Sequence, residues 1–191
     1  MKKELKLFLL GFIILCMAFL VMPSNVLAAE PTVVTTLAEL ETALADDAVT
    51  EIKLTKTIAI DSTKTIDGNN KTVTFAPTDA STKAFTVHAG TVEFKNITIV
   101  NPVGNGRCID VREADVTLTL TGVTLKTTNQ STNNQALNVG GYYTTPVTIN
   151  VVNSTIEAGK AGYGIVTFNP VKLTIDNSNV KGYAALYMKD E

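Results

Sequence analysis

The sequence predicts an all-β chain wound as a parallel β-helix of about five coils behind an N-terminal capping helix. Three observations lead there. A short pattern returns about every 26 residues: Asn70-Lys71-Thr72-Val73, Asn96-Ile97-Thr98-Ile99, Gly122-Val123-Thr124-Leu125, Asn153-Ser154-Thr155-Ile156 and Asn177-Ser178-Asn179-Val180, in steps of 26, 26, 31 and 24. Such a period marks stacked units, none of which can bury its own apolar face. The stretches around the pattern alternate Val, Ile or Leu with Thr, as in Val116-Thr117-Leu118-Thr119-Leu120 and Val147-Thr148-Ile149-Asn150-Val151. Period-two alternation is a strand signal, and β-branched threonine suits a half-buried pleated surface. Turn-formers punctuate the strands: Ala89-Gly90, Gly104-Asn105-Gly106, Gly140-Gly141, Gly159 to Gly164, and Gly182. A β-sandwich would also show short alternating strands and frequent turns, and it stands as the alternative.

The chain opens with Lys2, Lys3 and Lys6, then an apolar run from Leu7 to Met22 interrupted only by Gly11. Pro23 and Ser24 break the run, and Val26-Leu27-Ala28 offers small or apolar residues before a cut, so residues 1–28 read as a secretory signal peptide. Sixteen residues are few for a span of roughly 20, so cleavage is expected and no stable membrane span after it. Cleavage removes three of 16 basic and one of 18 acidic residues, leaving 13 against 17 and a net charge of −4. One thiol remains, Cys108, beside Arg107, which could lower its pKa. A small buried or edge residue is the ordinary role for such a cysteine. No intramolecular disulfide is possible, and no basic stripe for nucleic acid is present.

The domain is expected over 29–191, with the capping helix at 36–47 and coils over 51–191. Thr36-Leu37-Ala38-Glu39 has the form of a capping box, and Leu37, Leu40, Ala43 and Leu44 share a helix face. A helix there would cover the open end of an apolar solenoid. The other end shows no such cap: Ala184-Ala185-Leu186-Tyr187-Met188 is followed by three residues. The expectation is a chain truncated at its C-terminus, with self-association at the last coil through unpaired strand edges.

The run from Thr35 to about Thr98 resembles the pectate-lyase-like adhesive domains of Gram-positive surface proteins. The matching stretches are Thr36 to Leu44, Val49 to Leu54, Thr65-Ile66-Asp67-Gly68-Asn69, and Val92-Glu93-Phe94-Lys95-Asn96-Ile97-Thr98-Ile99. Helix, first strand, turn and coil fall in the order that family shows. The resemblance implies a right-handed solenoid on a secreted or surface-exposed protein, engaged in adhesion. It implies cell-wall or host glycans as partners.

Candidate chemistry belongs on the outward side of the h-x-h strands. The spacing predicts an outward ladder of Thr86, Asp110, Asn138, Thr167 and Tyr187, with a second of His88, Arg112, Gly140, Asn169 and Lys189. Pectate lyases proper hold Ca²⁺ with carboxylates and use an Arg or Lys as base. Here Arg107, Asp110 and Arg112, with Glu113 and Asp115 nearby and His88 one coil below, form the one candidate catalytic cluster. A hard cation wants six or more oxygens, and one ladder carboxylate is a thin supply, so no metal site and no cofactor are expected. Ca²⁺ belongs only to the lyase alternative. The ordinary reading of the cluster is a solvated ion pair. Tyr142 and Tyr143, in an extended Gly-Gly-Tyr-Tyr-Thr-Thr-Pro loop, are the candidates for carbohydrate stacking. Asn129 to Asn134 reads as a second, flexible insertion. Asn70, Asn96, Asn153 and Asn177 are expected to form a structural ladder at the coil corners, because asparagine tolerates the left-handed conformation. The function expected is a secreted non-catalytic adhesion or carbohydrate-binding module. The alternatives are a polysaccharide lyase or hydrolase on the same fold, and a structural fragment of a larger surface protein.

Overall fold

The alternating stretches form strands that stack in parallel, rung on rung, sixteen of them among the described residues. In the computed structural model they run β1 Thr32–Val34, β2 Glu51–Leu54, β3 Ile58–Ile60, β4 Lys64–Phe75, β5 Lys83–Val87, β6 Thr91–Asn101, β7 Arg107–Val111 and β8 Thr117–Thr121. They continue as β9 Thr124–Thr127, β10 Gln135–Val139, β11 Val147–Val152, β12 Thr155–Glu157, β13 Tyr163–Thr167, β14 Val171–Asp176, β15 Asn179–Lys181 and β16 Ala184–Met188, with a helix, α1, over Leu37–Ala45. The described residues are 30–141 and 144–189. The expected signal peptide, residues 1–28, lies outside them. Pro31–Glu191 is one compact unit.

One sheet runs β1-β2-β4-β6-β8-β11-β14, with β9, β12 and β15 extending it; the other runs β3-β5-β7-β10-β13-β16. The strand pairs are parallel and join each coil to the next. A sandwich of antiparallel hairpins is therefore ruled out, and the fold is a parallel β-helix. Each full coil has three sides. The first is the start of β4 or β6, or β8, β11 or β14. The second is the end of β4 or β6, or β9, β12 or β15. The third belongs to the other sheet. Five full coils follow a partial one made of β2 and β3.

Inward side chains stack by register along the axis. Ile66, Phe94, Leu120, Val151 and Ile175 form one column. Val73, Ile99, Leu125, Ile156 and Val180 form a second. Ile58, Phe85, Ile109, Leu137, Ile165 and Leu186 form the third. These columns are buried until the last rung, where Ile175 and Leu186 are 38% and 42% exposed; Met188, which ends the inward column of Ile60, Val87, Val111, Val139 and Thr167, is 59% exposed. Each fully buried member is worth about 1.5–3 kcal/mol relative to exposure, so stability is distributed evenly along the solenoid and falls at that rung.

The recurrent motif marks the corner between the first two sides. Asn70, Asn96, Gly122, Asn153 and Asn177 have φ of 62°, 50°, 64°, 49° and 43°. One left-handed residue turns the chain between two strands, and that conformation costs Asn and Gly least. The corner side chains bond only in part. Asn177 Nδ2 donates to Asn153 Oδ1 at 2.6 Å, and Asn96 Nδ2 to Asp67 Oδ1 at 3.3 Å. Gly122 interrupts the series, and a Cβ there would come within 3.2 Å of Asn96 Oδ1. The next position adds a hydroxyl ladder: Val123 N donates to Ser154 Oγ, and Ser154 N to Ser178 Oγ.

Helix α1 begins at a complete capping box. Glu39 N donates to Thr36 Oγ1 at 3.2 Å, and Thr36 N to Glu39 Oε2 at 3.1 Å. Thr35 adds its backbone N–H and its hydroxyl to the same carboxylate oxygen, which lowers the Glu39 pKa. The contribution of that carboxylate is therefore present above the ordinary glutamate pKa and is lost as pH falls through the lowered value. Leu40, Ala43 and Leu44 are buried against the first coil. Lys71 Nζ and Asn69 Nδ2 both donate to the Leu44 carbonyl, at 2.5 and 2.8 Å, tying the helix C-terminus to the corner below it. Thr36→Ala is expected to cost about 1 kcal/mol, read from urea denaturation; an unchanged midpoint would show that the cap is not limiting.

Candidate functional site

The third side of the coils carries the charged cluster. Lys83, Arg107 and Gln135 lie in one register row, and Thr86, Asp110 and Asn138 in another. Alternation sends Phe85, Ile109 and Leu137 inward and the second row outward. Asp110 is nonetheless fully buried, because neighbouring side chains close over it. Its Oδ2 lies 3.2 Å from Lys83 Nζ, 3.1 Å from Arg107 Nη1 and 3.4 Å from Arg112 Nη1. Its Oδ1 accepts from Asn138 Nδ2 at 2.5 Å. Arg107 Nε in turn donates to Gln135 Oε1 at 2.9 Å.

The cluster is thus not a solvated surface pair. Local sequence identifies Arg107, Asp110 and Arg112, and the outward ladder places Asn138 beside Asp110, but it misses Lys83 and Gln135. Aligning Lys83-x-Phe85-Thr86-Val87 with Arg107-x-Ile109-Asp110-Val111 and Gln135-x-Leu137-Asn138-Val139 would have placed both. His88, Glu113 and Asp115 give Asp110 no bond, and His88 sits one rung below Arg112 at the strand end.

Two ladder positions need correction. Asn138 pairs with Val166 and Val139 with Thr167. Thr167 therefore points inward, where its hydroxyl donates to the Asn169 carbonyl at 2.7 Å, and Val166 takes the outward place. In the second ladder the position expected for Asn169 belongs to Phe168, whose N–H bonds Val139 O. The turn at 129–134 also departs from a loose insertion. Asn134 is fully buried, accepts from Gly106 N at 2.8 Å and donates to Asn129 O at 2.5 Å. Tyr142 and Tyr143 lie outside the described residues.

Cys108 points inward, away from Arg107, and its Sγ donates to Ile99 O at 3.5 Å. Burial pushes its pKa up to about 12, the reverse of activation by the neighbouring guanidinium. Ellman's reagent is expected to leave the native thiol untouched at pH 8 and to titrate one thiol per mature chain in urea. Rapid reaction of the folded protein would contradict this.

Among the described residues no group of three or more His, Cys, Asp and Glu side chains could hold a metal ion. Calcium takes six to eight oxygens, and both Asp110 oxygens are already occupied by cationic or amide donors. The residues present do not fit that ion. Elsewhere, a shallow cleft of about 350 Å³ is lined by Lys126, Gln130, Glu157, Lys160 and Lys181. Lys126 and Glu157 stand 3.5 Å apart there.

Comparison with known families settles the class of this solenoid: residues 32–133 match the profile of the pectate lyase-like adhesive domain. The chain belongs to that family. The match spans α1, the partial coil, the first two full coils and β8–β9 of the third, and it includes the Lys83–Asp110 half of the cluster. No curated protein and no solved structure matches the chain. Among the described residues of this adhesive domain, no helix is long and apolar enough to cross a membrane.

Proposed function

We propose that this chain is a secreted, non-catalytic β-helix module that attaches to cell-wall or host glycans at a cell surface. The family match over residues 32–133 carries the reading. Two further points support it. The N-terminal apolar run has the form of a cleaved secretory leader. The one carboxylate of the candidate catalytic cluster is buried, and both its oxygens are engaged by three cations and an amide, which leaves it poorly placed to serve as base or calcium ligand.

A glycan-array screen of the 29–191 chain tests the proposal. Binding to a defined set of surface glycans supports it, and absence of binding by folded protein refutes it. Incubation with polygalacturonate and Ca²⁺ addresses catalysis. Growth of unsaturated-product absorbance, abolished in Arg107→Ala, would replace the adhesive reading with a lyase.

The same protein is expected to self-associate through its last coil. Ile175, Leu186 and Met188 continue the buried columns but are exposed, and α1 covers the first coil at the other end. Two copies that meet through this surface tail to tail form a closed dimer rather than a fibre. Sedimentation should show a concentration-dependent dimer that Leu186→Lys abolishes. A monomer at all concentrations would refute this.

A further inference from the structure

We infer that Tyr163 and Tyr187 are a site of oxidative cross-linking, where a peroxidase using hydrogen peroxide joins the two rings as dityrosine and staples the last coil to the one before it.

Three observations carry it. The first is where the phenols lie. The tyrosines among the described residues, Tyr163, Tyr183 and Tyr187, all fall in the last two coils. Tyr163 continues the outward row of Lys83, Arg107 and Gln135, and Tyr187 the row of Thr86, Asp110, Asn138 and Val166. The third side is thus charged in its first coils and aromatic at the tail.

The second is distance. Parallel register sets Tyr187 on Val166, one rung from both Tyr163 and Phe168. Its ring centroid lies 5.2 Å from that of Tyr163 and 6.5 Å from that of Phe168. The Tyr163 and Tyr187 planes are tilted by 54°, whereas Tyr183 stands 6.1 Å from Tyr163 at 88°. Coupling joins ring edge to ring edge, and a perpendicular ring turns its edge to its neighbour's face. Tyr187 is therefore the partner, being both closer and less perpendicular. Strand pairing holds the two phenols on adjacent rungs, and an exposed ring reorients in picoseconds to nanoseconds. The two edges meet repeatedly without any diffusional search.

The third is access. Tyr187 is 40% exposed, so an oxidant in solution reaches it. Each phenol gives up one electron and its O–H proton. The two phenoxyl radicals bond through the ring carbons ortho to oxygen, and the hydrogens on those carbons return to the oxygens as the rings regain aromaticity. The two electrons and two protons released reduce one hydrogen peroxide to two waters. The new bond spans the rung at which burial fails, where Leu186 and Met188 are exposed. It also closes a loop in the unfolded chain and so removes part of that chain's entropy.

The test treats dilute, monomeric 29–191 protein with a haem peroxidase and hydrogen peroxide. Dityrosine fluorescence should appear while the protein stays in the single-chain band of a denaturing gel. The chain should lose the mass of two hydrogens, and peptide mapping should place the link at Tyr163–Tyr187. Tyr163→Phe and Tyr187→Phe keep the ring packing and remove one phenol each, so either should abolish that link. Tyr183→Phe should leave it. Treatment in urea, where the rungs no longer hold the pair, should lose the preference for these two residues. The cross-linked protein should then unfold at higher urea than the untreated one. No link, a link mapped mainly to other tyrosines or between chains, or an equal yield of this pair in urea would overturn the site. An unchanged urea midpoint in the linked protein would overturn the staple.

Discussion

Replacing Asp110 by alanine is expected to destabilise the domain by about 3–5 kcal/mol, the range for removing one partner from a buried ionic network. The reason is what stays behind. Lys83, Arg107 and Arg112 all point their nitrogens at Asp110 Oδ2, within 3.1–3.4 Å. Without the carboxylate, three like charges face one another on adjacent rungs, and Asn138 Nδ2 loses its acceptor. Asp110→Asn keeps the shape and an acceptor for the amide but not the charge, so it should fall between wild type and alanine. Urea denaturation with a common slope measures both. A loss below about 1 kcal/mol for Asp110→Ala would place the cluster with ordinary surface pairs.

Phe94→Ala should cost a comparable amount, about 3–5 kcal/mol. Phe94 is fully buried, its ring centroid 5.2 Å from that of Phe85 at an interplanar angle of 73°. It lies in the column between Ile66 and Leu120. Strand pairing holds these neighbours at fixed rung spacing, so the coils cannot collapse into the void. The same truncation in the last coil, Ile175→Ala, should cost less than about 1 kcal/mol, because that side chain is already 38% exposed and gives up little buried area. The contrast between the two positions is the measurement. Equal losses would mean that the last coil is as well covered as the second.

The two expected losses differ in how far the sequence announced them. Phe94 sits in a stretch whose alternation and period are enough to place it inside. Asp110 is visible in the sequence as a charged residue beside two arginines, which reads most simply as a solvated turn. Its burial comes from Lys83 and Asn138, each a whole coil away in sequence. Nothing local to residues 107–112 distinguishes a surface ion pair from one that adjacent rungs have roofed over. Asn134 was hidden for the same reason: in a polar run, the residue that turns inward is chosen by the backbone groups of the coil below, here Gly106 N.

By itself, the sequence determined the parallel solenoid of five full coils, its corner positions and the capped start of α1. Those depend on local chemistry: period-two alternation, a residue that accepts positive φ once per coil, and a capping box within four residues. Only the tertiary structure decided the register of the fourth full coil. Ile165, Val166 and Phe168 are all apolar, so two alternations fit that strand equally well, and in a strand a one-residue slip exchanges the two faces. That slip turned Thr167 inward and Val166 outward. The tertiary structure also decided that the charge cluster is a buried network, because burial is a property of three stacked coils rather than of any one of them.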